Sequence, residues 1–198
     1  MPERRPAGSS QSLTDEQIRQ TTVGELASHN GPITLVTYDP AWPEYFAREA
    51  KRIQDALGAR AVRIEHIGST AVPGLIAKPI VDILLVVADS ADEPSYVPAL
   101  ERAGYVLRIR EPEWHQHRLF KGPDININLH VFTAGSEEIK RHLAFRDWLR
   151  AHPADRDLYA RTKHGLAQRE WRYVQNYADA KSEVVEDIIA RAQAASPS

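Results

Sequence analysis

Hydrophobic and polar positions along the chain change period several times, and each change marks an element. Val62, Ile64 and His66 fall on one face of an alternating strand, and Ile80 to Val87 follows as a nearly continuous apolar strand. A turn-forming loop between them carries Gly68, Ser69, Pro73, Gly74, Lys78 and Pro79. Upstream, Tyr45, Phe46, Ile53 and Leu57 recur at helical spacing, with Pro43 in the first turn and Gly58 as the stop. A short strand at Ile33–Val36 precedes that helix. Before it, Thr14 and Gln17 have the form of a capping box that opens a helix from Asp15 to about Ala27. Its thin apolar face predicts an accessory arm rather than core. Downstream, a helix over about Ser95–Ala103 ends at Gly104. Tyr105–Ile109, His115–Phe120 and Asp124–Phe132 then alternate as strands. In the last of these, Ile125, Ile127, Leu129 and Val131 share one face, while Asn126, Asn128 and His130 share the other. Three helices close the chain, over Glu137–His152, about Asp155–Trp171 and about Val174–Ala194.

This order predicts an α+β fold, a small mixed sheet with helices on one side or end, followed by a C-terminal helical segment. Residues 1–30 form a disordered tail (Met1–Ser12) and the accessory helix, 31–134 the α/β core, and 135–194 helices packed on it; the ending AQAASPS is a frayed tail. A length of 198 residues suits one domain with a modest extension. The net charge of -2 lacks the basic footprint of bulk nucleic-acid binding. No apolar run is long enough for a membrane span and no secretory h-region follows Met1, so the cytoplasm is the expected location. The absence of cysteine removes disulfides, thiolate zinc sites and a cysteine nucleophile.

The candidate chemistry starts from Asp82, a lone charge inside the apolar strand. Burying it costs several kcal/mol, of order 3–5, unless a cation, a metal ion or hydrogen-bond donors meet it. Gly68 lets a phosphate approach backbone N–H groups, and the Ser69 hydroxyl adds a donor. With Lys78 close by, the parts for phosphoryl or nucleotidyl transfer stand together: phosphate donors, a carboxylate for Mg²⁺, and a cation for developing charge. Lys163 and Lys181 lie on the apolar stripes of their helices. Lysines there either snorkel to the surface or reach a buried anion such as a triphosphate over Ser69, with Arg118 and Arg146 as further phosphate ligands and Asn128 on the polar strand face.

The run HIGSTAVPGLIAKPIVDI resembles the signature of the GrpB family, whose fold is that of the nucleotidyltransferase superfamily. YDPAWP, NLHVF and HLAFRDWLRAHP also match, and the resemblance covers about Pro32 to Ala192. It implies a Gly-Ser turn followed by two acids in Asp-x-Asp or Asp-x-Glu spacing, with a third carboxylate on a later strand. Family members also occur fused to dephospho-coenzyme A kinase, which implies a nucleotide context. A nucleoside triphosphate is the expected substrate, and the acceptor is expected to be a small molecule because the surface is not basic. Here Gly68, Ser69 and Asp82 are present, but Leu84 stands at the second acid position and the later strand offers Asn126, Asn128 and His130. Asp124 shares their side at the strand's start. The gap admits a transition-metal site built from Asp82, His115, His117 and His130, in which i, i+2 spacing puts His115 and His117 on one side of a strand. Hydrogen-bonding or phosphate-contacting histidines are the commoner use of such residues. Three readings follow: a Mg²⁺-dependent nucleotidyltransferase-like enzyme with Asp82, Ser69 and Lys78 catalytic, a non-catalytic nucleotide or anion binder, and a His/Asp metalloenzyme.

Overall fold

A computed structural model describes residues 12–195. Five strands form one sheet in the order β1-β2-β5-β4-β3, comprising β1 (Arg63–Ile67), β2 (Val81–Val87), β3 (Val106–Glu111), β4 (His117–Lys121) and β5 (Ile127–Thr133). β2 and β5 run parallel in the middle, and every other pairing is antiparallel. The fold is therefore α+β with a mixed sheet. A bulge between Leu107 and Ile109 bends the β3 edge.

One face of the sheet is the main core. Ile83, Leu85 and Val87 of β2 and Ile127, Leu129 and Val131 of β5 point into it. Two helices cover them, α2 (Trp42–Leu57) and α3 (Glu93–Arg102), through Trp42, Ile53, Leu57, Tyr96 and Leu100. Helix α2 is set at its start by an Asx turn, in which the Ala41 N–H donates to Asp39 Oδ1 at 2.9 Å, with Pro43 in the first turn. It ends at Gly58, whose φ of 56° favours glycine. The buried Glu49 of α2 accepts a 2.6 Å hydrogen bond from the Tyr105 hydroxyl.

The opposite face divides along its length. Toward the end of β2, Leu84 and Val86 pack with Ile67, Phe132 and Ile139 under α4 (Glu137–Ala151). At the start of β2 it opens beneath α5 (Pro153–Ala167), α6 (Val174–Asp179) and α7 (Ser182–Ala195), which join the loop residues Val72 and Leu75 and the segment around Ile33 in two smaller clusters. The burial of β2 on both faces explains its unbroken apolar run.

Several elements depart from the sequence expectation. Ile33–Val36 makes no strand: Val36 forms an isolated bridge with Ala77 and the Ile33 N–H bonds Ala167. The last helix is interrupted at Ala180–Lys181 between α6 and α7. The strand expected from His115 starts only at His117, because His115 and Gln116 adopt left-handed turns with φ of 50° and 51°. The capping box at Thr14 is present, but α1 (Asp15–Thr21) ends before Ala27. The chain beyond it runs extended, pairing Thr22 with Ile109 on the β3 edge and Gly31 with Trp171. The tail expected to be disordered lies outside the described residues except for Ser12, which bonds Asp179. Of AQAASPS, the first four residues continue α7, and the rest lie outside the described residues. Among the described residues, no helix is long and apolar enough to cross a membrane.

Candidate functional site

Strand register puts Ile67, Asp82, Asn128 and Lys121 in one row across β1, β2, β5 and β4. All four face a cavity of about 680 Å³, closed above by α5 and α6 and on one side by the N-terminal arm through Leu13, Ile18 and Leu26. Polar contacts run along the row. Lys121 Nζ donates to Asn128 Oδ1 at 2.6 Å, and Asn128 Nδ2 donates to Asp82 Oδ1 at 2.8 Å. Lys121 was not singled out in the sequence; its signal is the β4 alternation His117, Leu119, Lys121, visible only once β4 pairs with β5.

The Gly-Ser turn abuts this row. Gly68 has φ 69°, and a Cβ there would stand 2.5 Å from Asp82 Oδ2, so the turn can touch the carboxylate only as glycine. Ser69 opens a single 3₁₀ turn, Ser69–Ala71, and its Oγ lies 3.0 Å from Lys163 Nζ. Lys163 also donates to the Ile76 carbonyl. Two tyrosines line this side. Lys163 sits over the Tyr159 ring at 4.8 Å, and Tyr177 lies between Lys181 at 4.5 Å and Lys78 at 5.6 Å. Tyr177 is fully buried, and among the described residues its hydroxyl has no hydrogen-bond partner.

Four lysine amines thus surround Asp82 in this cavity, whose lining also includes Glu25 and Glu111. Burial pulls all of them down: Lys163 to about 6, and Lys78 and Lys181 to about 8. Neighbouring lysines add to this at Lys163 and Lys78, whereas the Asp82 charge opposes it throughout. Lys121 is lowered for the same first reason. At Asp82, burial pushes the carboxyl up, but His130 and the Asn128 amide outweigh it and hold it below the ordinary carboxylate range.

The two arginines expected at the site are elsewhere. Arg118 Nε donates to Glu93 at 2.6 Å and its Nη1 to the Gln116 carbonyl, which fixes β4 to the start of α3. Arg146 clamps α4 to β1 through Glu65 at 2.8 Å and the His66 carbonyl at 3.0 Å. Neither guanidinium reaches the cavity, because each finds a carboxylate closer by. Asp124 is likewise turned away and paired with Arg52.

Of the expected metal set, His115 stands apart, while His117, His130 and Asp82 touch in a chain. His115 sits in the turn, 3.8 Å from Glu138. His117 has both ring nitrogens engaged, with Nδ1 2.7 Å from Glu111 and Nε2 3.1 Å from His130. His130 Nε2 lies 3.6 Å from Asp82 Oδ1. Among the described residues no three His, Asp or Glu side chains gather as a metal-binding group. The residues do not fit a two-metal centre either: Leu84, at the second acid position, is completely buried under α4 and leaves Asp82 as the only acid of the pair.

His66 belongs to the opposite face, stacked on Phe46 at 4.9 Å and 3.0 Å from the Thr70 hydroxyl. Burial takes it to about 4; the Asp82 charge opposes this, and Arg150 and Arg146 add to it. The folded value lies below the unfolded one, so its contribution is complete above pH 6.5 and is lost as pH falls through about 4. By linkage this reaches about 3 kcal/mol. His66→Gln should therefore flatten the decline of melting temperature between pH 6.5 and 4. Parallel declines for the two proteins would contradict this.

Comparison with known proteins agrees with the overall fold. The sequence profile described as GrpB protein matches residues 32–191. The chain belongs to the GrpB family. It is 62% identical over 194 residues to a UPF0157 protein of Halalkalibacterium halodurans, covering 98% of this chain and all of that one. A UPF0157 protein of Streptomyces coelicolor is 48% identical over 82% of this chain and 86% of its own length. The crystal structure of the conserved protein GrpB from Enterococcus faecalis superposes with a TM-score of 0.71 at 33% identity, covering 80% of this chain and 96% of that one. A dephospho-CoA kinase of Mycolicibacterium paratuberculosis is 30% identical over 81% of this chain, which spans 46% of that protein.

Proposed function

We propose that this GrpB-family protein binds a nucleotide through its phosphates in the cavity above Ser69 and transfers a nucleotidyl or phosphoryl group to a small-molecule acceptor, on a nucleotidyltransferase-like scaffold. The observation that carries the reading is the convergence of Lys78, Lys121, Lys163 and Lys181, from four separate parts of the chain, on a cavity with Asp82 on its floor and Glu25 and Glu111 also in its lining. Collecting four lysine side chains in one partly buried cavity is unfavourable for their charged forms unless a polyanion shares the space. Ser69 supplies a neutral donor to the same ligand. The dephospho-CoA kinase relative adds a nucleotide-handling context.

Asp82 orients the Lys121–Asn128 row and accepts a proton or a hydrogen bond from the acceptor. The lysines hold the phosphate charge as it builds on the leaving group. No step is assigned to a metal. A second reading, a binder without turnover, is favoured by Leu84 at the second acid position.

A thermal-shift series with orthophosphate, pyrophosphate, tripolyphosphate and nucleoside triphosphates tests binding. Stabilisation should grow with the number of phosphates and weaken with salt. ³¹P NMR of a stabilising nucleotide with hydroxyl and amine acceptors then separates enzyme from binder. A flat response to every polyanion would remove both readings.

A further inference from the structure

We infer that Ser69 and Lys163 form a nucleophile–base dyad, so that transfer passes through a covalent phosphoryl- or nucleotidyl-serine at Ser69. The inference rests on the phosphate-binding reading and goes beyond it by naming a nucleophile.

The geometry is that of an activated serine. Oγ and Nζ lie 3.0 Å apart, within reach for direct proton transfer. Nζ is held from its other side by the Ile76 carbonyl, a neutral acceptor that takes one N–H and leaves the nitrogen's remaining positions toward Ser69. Among the described residues no carboxylate forms an ion pair with Lys163, and Asp82 acts on it only from a distance. Its surroundings are the Tyr159 ring, the loop backbone and two further lysines, and it is 2% exposed. These surroundings favour the free amine: burial, with the Lys181 and Lys78 charges, outweighs the opposing Asp82 charge and brings it to about 6. A lysine placed only to grip phosphate would be better served by the partners Lys121 has, a side-chain amide and a carboxylate behind it. Ser69 is half-buried, faces the cavity and follows a glycine that fixes the turn against β2, so its position is set before any ligand arrives.

In the first step the Ser69 Oγ proton passes to the Lys163 amine, Oγ bonds to phosphorus, and the P–O bond to the leaving phosphate breaks with its electrons going to that oxygen. In the second, the acceptor oxygen attacks the same phosphorus and the P–Oγ bond breaks. Oγ recovers its proton from the Lys163 ammonium, and the acceptor's proton passes to Asp82 and from there to water. Lys78, Lys121 and Lys181 remain to hold the phosphates.

A fluorophosphonate probe reads this step without a known substrate, since Oγ displaces fluoride from phosphorus. Intact-mass and peptide analysis of the full chain should find one adduct, at Ser69, absent in Ser69→Ala. Lys163→Met, which keeps the length and apolar shape of the stem, should slow labelling by about 100-fold or more. Lys163→Arg, which keeps the charge but not a usable lone pair, should slow it comparably. Labelling of the unaltered chain should rise between pH 5 and 7 and then level. That pH profile decides the matter even if the variants fold poorly. Equal labelling of the serine and alanine proteins, or full rates in Lys163→Arg, would overturn the dyad, as would a rate climbing with hydroxide to pH 9 with no plateau. Tripolyphosphate thermal shift on the same samples separates the two ideas: stabilisation without labelling overturns the dyad alone, and labelling without stabilisation supports the dyad while removing the phosphate reading.

Discussion

Gly68→Ala is expected to abolish tripolyphosphate binding and to lower the melting temperature by about 6–12 °C. Two costs add. A non-glycine residue at φ 69° loses about 1–2 kcal/mol. The new Cβ would also stand 2.5 Å from Asp82 Oδ2 and 3.1 Å from the Asp82 Cβ, and Asp82 cannot retreat because its backbone is paired to β1 on one side and β5 on the other. Relieving the overlap displaces either the Gly-Ser turn or the carboxylate, for a total near 3 kcal/mol. Gly74→Ala is the control. It shares the left-handed conformation, with φ 79°, but its Cβ meets nothing within 4 Å. It should cost about 1 kcal/mol in differential scanning fluorimetry and leave binding unchanged. A native-like Gly68→Ala protein that still binds tripolyphosphate would mean that the contact between turn and carboxylate does not define the site.

Lys181→Met should stabilise the ligand-free protein while weakening polyphosphate binding by about 10- to 100-fold. Its ammonium is held in a largely apolar setting over Tyr177, with Asp82 and Asp179 only partly offsetting the loss of water. A methionine of similar length keeps the packing and removes that penalty, worth about 1–3 kcal/mol near neutral pH. The bound polyanion loses one charged hydrogen bond, about 1.5–3 kcal/mol. The same lysines set a pH dependence. Lys78 and Lys181 titrate near 8 in the free protein. Binding a polyanion favours their charged forms, so affinity is greatest below pH 8 and falls as pH rises through it. Isothermal titration calorimetry from pH 6.5 to 9 reads both effects. A variant destabilised without ligand yet unimpaired in binding would place Lys181 outside the anion site.

The sequence carried the site's centre and less of its surroundings, for physical reasons that differ by residue. Asp82 was legible because a charge in a two-sided apolar strand has few explanations, and Asn128 and His130 because strict alternation assigns them to one face. Lys163 and Lys181 were legible because a cation on an apolar stripe must either snorkel or find a partner. Arg118 and Arg146 went the wrong way because helix and strand periodicity gives a side, not a partner, and Glu93 and Glu65 lay closer than the cavity. His115 failed because a left-handed turn breaks the alternation that would have put it beside His117. The wall made by the N-terminal arm depends on contacts such as Leu13 with Asp179 and Val23 with Arg108, which join distant parts of the chain and leave no local trace.

The row Ile67, Asp82, Asn128, Lys121 has one more consequence. Its members meet only because four strands are aligned residue for residue, and successive positions on a strand look opposite ways. Losing a single residue at the head of β2 would hand the cavity an isoleucine and gaining one a valine, and either would drive a carboxylate in among Trp42 and Leu57. Exchange of side chains can therefore retune what this protein recognises, but a change of strand length cannot do so without unmaking the sheet.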